Sequence, residues 1–327
     1  MLYHSHLLIN AGDNPNRPDW NITRRWLRNL YRVHQRLCMA FPSRAPASPE
    51  ERRAAYCAPY PGGGPLERDL PTEPAATGPG ATETGKSAVH CGRDEEHGFL
   101  FRIDHPVIDV VDGRATRGGH PRRRPVIVVQ SGTEPDWDLA FGLSPGAKDD
   151  RGRPVGNTGH LLAGPPQCRK VSFSLEGNAL RLSRDDRPSE DFRVGPGDLV
   201  RFRLRANPCV TTDGKRHRPR VPEEDHKAGG ERLARARLLV HEEWLKRRLG
   251  GAAEDVEVHT FVPGWAGAWR TKHEPQPNQK MQFWSVLFEG TFHVGDPAKL
   301  DGLLKKGVGP AKAFGFGLLS IAPAPEH

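Results

Sequence analysis

Short runs of alternating apolar and polar residues lie near both ends of the chain, and stretches with helical spacing separate them. Leu7, Leu8 and Ile9 form an apolar run that predicts a strand over 2–10. Over 22–41, Leu30, Val33, Leu37 and Phe41 fall on one stripe with Trp26 in line, which predicts a helix. At about 100° per residue, His34 lies on the edge of that stripe and Tyr31 about 60° further round on the same side, while Arg32 and Arg36 point away from the core. Two strands are predicted in "GFLFRIDH" and "RPVIVVQS", a short helix in "TEPDWDLAF", and a closing strand in "RKVSFSLEG".

The second half repeats this order more clearly. "DLVRFRLRANP" predicts a strand, 229–249 a helix, and "VEVHTFVPGW" and "MQFWSVLFEGTFHV" two strands. "DPAKLDGLLKKG" predicts a helix with Asp296 as N-cap and Pro297 at its first position. "GLLSIAP" closes the series as a strand. The order βαββαβ, met twice, predicts an α+β protein of two tandem ferredoxin-like (RRM-like) domains, 1–190 and 191–327. The Pro/Gly-rich stretches 42–97 and 144–170 interrupt the first domain as long loop insertions, and 42–97 carries too few apolar residues to order itself.

Composition narrows the partner. Among 327 residues only 36% are hydrophobic, and the net charge is +8, which favours a polyanion, nucleic acid before an anionic membrane. No apolar run approaches the roughly 18 residues of a membrane span, and the N-terminus shows no signal peptide. Five scattered cysteines without C-x-x-C spacing argue for a reducing cytoplasm and against a disulfide framework or structural zinc. His90, Cys91 and His97 lie close together in sequence, but no metal is expected there.

Four features bear on chemistry. Gly80–Ser87, "GATETGKS", satisfies G-x-x-x-x-G-K-[ST], yet no apolar strand precedes it and no helix follows, so the match reads as chance and no nucleotide is expected. Residues 201–220 hold Arg201, Arg203, Arg205, Lys215, Arg216, Arg218 and Arg220 against the single acid Asp213. The first three alternate with Phe202 and Leu204 and so share one strand face, spaced by about 7 Å to follow a phosphate backbone. In "GVGPAKAFGFGLL", Gly309, Gly315 and Gly317 surround Lys312 just after Lys305 and Lys306; glycines permit close approach to phosphates, and equally make a plain helix-to-strand loop. His34 is, on periodicity alone, either a packed core histidine or a catalyst.

"LYRVHQRLCMAFP", "FLFRID", "VVQSGTEPDW", "RFRLRANP" and "GVGPAKAFGFGLLSIAP", in this order, resemble the CasE family, the CRISPR repeat-processing endoribonucleases of type I-E Cascade complexes. The resemblance implies two ferredoxin-like domains, binding of a CRISPR repeat stem-loop in precursor crRNA, and metal-independent cleavage without cofactor at the 3′ base of the stem. The 2′-OH would attack the neighbouring phosphate, leaving a 2′,3′-cyclic phosphate and a 5′-OH, and the enzyme would stay on the crRNA hairpin beside other Cascade subunits. The family's histidine and tyrosine map onto His34 and Tyr31. The alternative is a non-catalytic RNA-hairpin-binding subunit of the same fold. The chain is longer than the family pattern, with the excess in 42–97, 144–170 and around 180–195. A basic side chain often follows the histidine by one turn in the family. Here Leu37, Cys38 and Met39 stand there, which leaves Arg36 or Lys312 to stabilise the phosphate.

Overall fold

A computed structural model describes residues 1–10, 20–38, 40–41, 98–104, 125–141, 161–185, 191–269 and 280–324. The insertion 42–97, with Gly80–Ser87 and with His90, Cys91 and His97, lies outside the described residues, as does 144–160 of the second insertion.

The first sheet contains β1 (Leu2–Leu8), β2 (Phe99–Asp104), β3 (Val126–Ser131) and β4 (Gln167–Glu176), in the order β2-β3-β1-β4 with every neighbour antiparallel. This is the strand arrangement of a ferredoxin-like domain. Leu7, Ile9, Phe101, Ile127 and Val129 turn one face of it onto α1 (Trp20–Arg28), α2 (Leu30–Cys38) and the short α3 (Trp137–Phe141), forming the first core.

The second sheet repeats the arrangement. It contains β7 (Leu199–Ala206), β10 (Ala253–Trp269), β11 (Lys280–Val294) and β12 (Leu319–Pro323) in the order β10-β11-β7-β12, again antiparallel throughout. Its core joins Val200, Phe202, Leu204, Phe288 and Phe292 to Trp244, Leu245 and Leu249 of α5 (Gly230–Leu249) and to Leu300 and Leu304 of α6 (Pro297–Lys306). Asp296 caps α6 as expected, accepting from the N–H groups of Ala298 at 2.9 Å and Lys299 at 3.2 Å. The small hairpin of β8 (Val210–Thr212) and β9 (Lys215–His217) and the short α4 (Glu223–Ala228) connect β7 to α5.

Two differences from the sequence reading have physical causes. Residues around 180–195 are not a loop: β5 (Ala179–Arg184) and β6 (Phe192–Val194) extend the first sheet beyond β4. Their polar surface hides Leu180 and Val194, which are buried in the second core, so the first sheet reaches past residue 190 to Val194. The helix expected over 22–41 is two helices that break at Asn29, because the Asn29 side chain caps α2 and holds the far end of β10 as well. Its Oδ1 accepts from Tyr31 N–H at 3.2 Å and from Trp269 N–H at 3.1 Å, and its Nδ2 donates to the Trp269 carbonyl at 2.9 Å.

The two domains meet over charged and polar groups as well as apolar ones. Arg102 of β2 donates two bonds to Asp104, at 2.7 and 3.0 Å. Its Nη1 donates to the carbonyls of Arg203 and Leu318 and to Ser320 Oγ, at 3.0–3.2 Å. Gln130 of β3 accepts from His4 Nε2–H at 2.8 Å and donates to the Leu304 carbonyl of α6 at 2.7 Å. Burial holds the His4 pKa down to about 4 against this hydrogen bond, so His4 is neutral. Among the described residues, no helix is long and apolar enough to cross a membrane.

Candidate active site and nucleic-acid interface

Leu30, Val33 and Leu37 of α2 are buried in the first core, as the stripe requires. His34 and Tyr31, at its margin, are half-buried. The His34 ring stacks on Phe99 of β2, with centroids 5.9 Å apart and planes 22° apart, and meets Phe314 at 6.1 Å. Cys38 Sγ lies 3.4 Å from His34 Nε2, in the turn where the resemblance implies a basic side chain. His34 is thus anchored by two aromatic rings, one from each domain.

The glycine-rich stretch after α6 makes that meeting possible. Gly315 has φ +80°, and a Cβ there would lie 2.8 Å from the Phe101 ring. Gly317 has φ +90°, and its Cβ would lie 2.8 Å from the Val308 carbonyl oxygen. Only glycine allows this backbone to press against the first domain, so that Phe314 touches His34. The N–H of Gly317 donates to the Arg205 carbonyl at 2.8 Å, and that of Gly315 to the Lys312 carbonyl at 3.3 Å. Gly315 and Gly317 are buried, and the expected open phosphate cradle is instead a packed seam; Gly309 lies against Trp244, 3.1 Å from where its Cβ would stand.

Lys312 is two residues from Phe314. Its Nζ donates to the Lys306 carbonyl at 2.5 Å, and burial, then the charge of Lys306, push its pKa down. Lys306 is exposed, and Lys305 pairs with Asp301 at 2.7 Å. Arg36, the other candidate for the phosphate, is 3% exposed and donates to the Ala140 carbonyl at 2.9 Å. It points into the core, not away from it, because α3 supplies a carbonyl that no helical periodicity reveals. Lys312 opens the short turn Lys312–Phe314 whose Phe314 ring meets His34.

The basic run 201–220 is divided by the sheet. Arg201, Arg203 and Arg205 do share one face, but not as a free row. Arg201 is exposed and donates to the Pro323 carbonyl at 3.0 Å. Arg203 pairs with Glu289 at 2.5 Å and with Asp104 at 3.4 Å. Burial lowers the Arg205 pKa to about 10, and its Nε is shut off from solvent without a hydrogen-bond partner. Arg205 is therefore part of the domain seam rather than an open phosphate contact. Lys215, Arg216, Arg218 and Arg220 are exposed, and Arg218 sits over Trp284 on the opposite, helix-bearing face. Among the described residues, no three His, Cys, Asp or Glu side chains come together as metal ligands.

The family described as "CRISPR associated protein" matches residues 86–323. The chain belongs to that family. It is 30% identical over 215 residues to the CRISPR-associated endoribonuclease Cse3 of Thermus thermophilus, covering 61% of this chain and 74% of that protein. It is 34% identical over 136 residues to the CRISPR system Cascade subunit CasE of Escherichia coli K12, covering 41% of this chain and 62% of that one. Among solved structures it is similar to the CRISPR endoribonuclease Cse3 bound to 19 nt RNA, with 23% identity, a TM-score of 0.48, and coverage of 99% of this chain and 100% of the other. The family match begins after His34 and Tyr31, so their place in this CRISPR-associated protein rests on the geometry of α2 and the residues packed on it.

Sequence reasoning missed the residues that assemble the site. Asn29 carried a signal, since Asn is a preferred N-cap, though it sits inside an unbroken helical period. Arg102, Phe99 and Phe314 carried none, because the contacts that matter here, Arg102 to the Arg203 and Leu318 carbonyls and both rings to His34, span more than sixty residues.

Proposed function

We propose that this protein is a metal-independent endoribonuclease that binds CRISPR repeat stem-loops in precursor crRNA and cuts at the 3′ base of the stem. It then remains on the crRNA hairpin as a Cascade subunit, and its place is the cytoplasm. The observation that carries the reading is the convergence of α2 and the 312–314 turn on one spot, in a chain of the CRISPR-associated family: Tyr31, His34 and Lys312 come from elements some 280 residues apart.

The reaction asks for little more. The 2′-oxygen bonds to phosphorus as the bond to the 5′-oxygen breaks, which leaves a 2′,3′-cyclic phosphate and a 5′-OH. The proton lost by the 2′-OH and the proton gained by the 5′-oxygen balance, and His34 is the group that moves them, since imidazole exchanges protons near neutral pH. Tyr31 donates a hydrogen bond that orients the reacting ribose or phosphate. The extra negative charge on phosphorus needs a cation, and Lys312 supplies it. Arg201, Lys305 and Lys306 hold the duplex through its phosphates, because an A-form stem is read mainly by shape and backbone, and Lys215, Arg216, Arg218 and Arg220 meet the RNA beyond the stem.

The test is incubation of the purified protein with the repeat RNA of its own locus, followed by end-group analysis. Wild type gives cyclic-phosphate and 5′-OH ends, also in EDTA. His34→Ala binds the hairpin and does not cut it. Cleavage by His34→Ala at the wild-type rate overturns the assignment, and a wild type that binds without cutting makes the protein a non-catalytic hairpin-binding subunit.

A further inference from the structure

The long hairpin of β10 and β11 has two dissimilar faces. Ala266, Ala268, Met281 and Phe283 pack against the first core. The other face carries Trp265 and Trp284, directly opposed across the two strands, their rings edge to face at 5.1 Å and 71°. Trp284 is held from beneath. Its Nε1–H donates to His241 Nε2 at 2.8 Å, and His241 Nδ1–H donates to the Arg237 carbonyl at 2.7 Å. An indole nitrogen only donates, which fixes the His241 tautomer. Trp265 rests on this locked ring and is 62% exposed. The Arg218 guanidinium lies 5.7 Å from the Trp284 ring centroid, just after β9, whose Lys215 and Arg216 are also exposed.

A rigid indole open to solvent and flanked by cations suits one kind of ligand. Every nucleobase has a flat face to stack on it, and the phosphate beside the base meets the guanidinium. The surrounding charge favours a polyanion over a protein surface. A paired base inside a stem cannot offer its face, so the ligand is an unpaired nucleotide. The ribbon is a single sheet thick and β10 is its edge strand, so a strand leaving a stem held on the His34 side can turn that edge.

We infer that Trp265, supported by Trp284 and Arg218, is a stacking platform for an unpaired nucleotide flanking the repeat stem. This rests on the RNA-cleaving reading above and adds a single-stranded subsite on the reverse face of the β10–β11 ribbon. The experiment compares two fluorescent RNAs by anisotropy, a bare repeat stem-loop and the same stem-loop with ten unpaired nucleotides 5′ of it. In the wild type the flank tightens binding. Trp265→Ala weakens binding of the flanked RNA by about 5- to 150-fold, the worth of one base stacked on an aromatic ring. It changes binding of the bare stem less than twofold, and Trp265→Phe keeps most of the gain. Arg218→Ala lowers the salt slope for the flanked RNA by about one unit. Equal weakening of both RNAs, or of neither, overturns the platform, and the second result assigns the exposed indole to a protein contact. A wild type that binds neither RNA overturns the RNA reading itself. Because Trp265 is exposed, a melting temperature matching wild type separates these outcomes from unfolding.

Discussion

Replacing Asn29 by alanine removes three hydrogen bonds from one side chain that is 1% exposed: to Tyr31 N–H, to Trp269 N–H and from Nδ2 to the Trp269 carbonyl. The first is the N-cap of α2, worth about 1 kcal/mol. The other two tie β10 to the first domain, and each buried backbone group left without its partner costs about 1 kcal/mol or more. The loss is about 3 kcal/mol in all, against a total stability of about 5–15 kcal/mol for a folded domain, so the variant folds but unfolds at a lower urea concentration. Tyr31 and His34 follow on the same helix, so cleavage falls more than hairpin binding. Serine at this position still caps a helix but is too short to reach Trp269, and Asn29→Ser recovers about 1 kcal/mol over the alanine variant. Urea unfolding followed by circular dichroism, with cleavage and anisotropy on the same preparations, measures each part. A cost below about 0.5 kcal/mol for Asn29→Ala refutes the double role, and a serine variant no better than alanine refutes the capping half of it.

Acid destabilises the domain seam. The unfolded chain protonates its histidine near 6.5 and folded His4 only near 4, so the unfolded state binds more protons in between. The His4 contribution, about 3 kcal/mol, is complete above pH 6.5 and is lost as pH falls toward 4; His6 and His241, also lowered by burial, act in the same direction. Urea midpoints at pH 7.5 and 5 measure the slope, which must be shallower in His4→Phe. Arg102→Ala leaves Asp104 with only its longer contact to Arg203 and takes the donor from two carbonyls, and costs about 3–5 kcal/mol, whereas Arg102→Met with Asp104→Leu costs much less; equal melting temperatures for the two variants refute the seam as a charge network. Lys312→Ala slows single-turnover cleavage at saturating RNA by about 100- to 1,000-fold with a smaller effect on binding, and Lys312→Arg restores part of it; an unchanged rate excludes Lys312 as the phosphate-stabilising cation.

Local chemistry wrote much of this protein into its sequence. The alternation around Phe202 and Leu204, the stripe through Leu30, Val33 and Leu37, and the Asp296-Pro297 cap depend on neighbours within a few residues, and each is where periodicity and capping place it. The two βαββαβ units follow from that order, because a strand and a helix with one apolar face each have few ways to bury both. What periodicity could not decide was which polar groups are satisfied from afar. Arg36 looks like a surface cation until α3 offers the Ala140 carbonyl, and Arg205 looks like part of a phosphate row until the fold closes over its Nε. Likewise the glycines after α6 look like a phosphate cradle until Phe101 and Val308 occupy the space where their side chains would stand. His34 was ambiguous for the same reason: a residue at the margin of a helical stripe is core or catalyst according to what the fold lays over it. The tertiary structure lays Phe99, Phe314 and the turn of Lys312 there, since burying polar backbone and charge across two domains is a long-range requirement that no single segment can express.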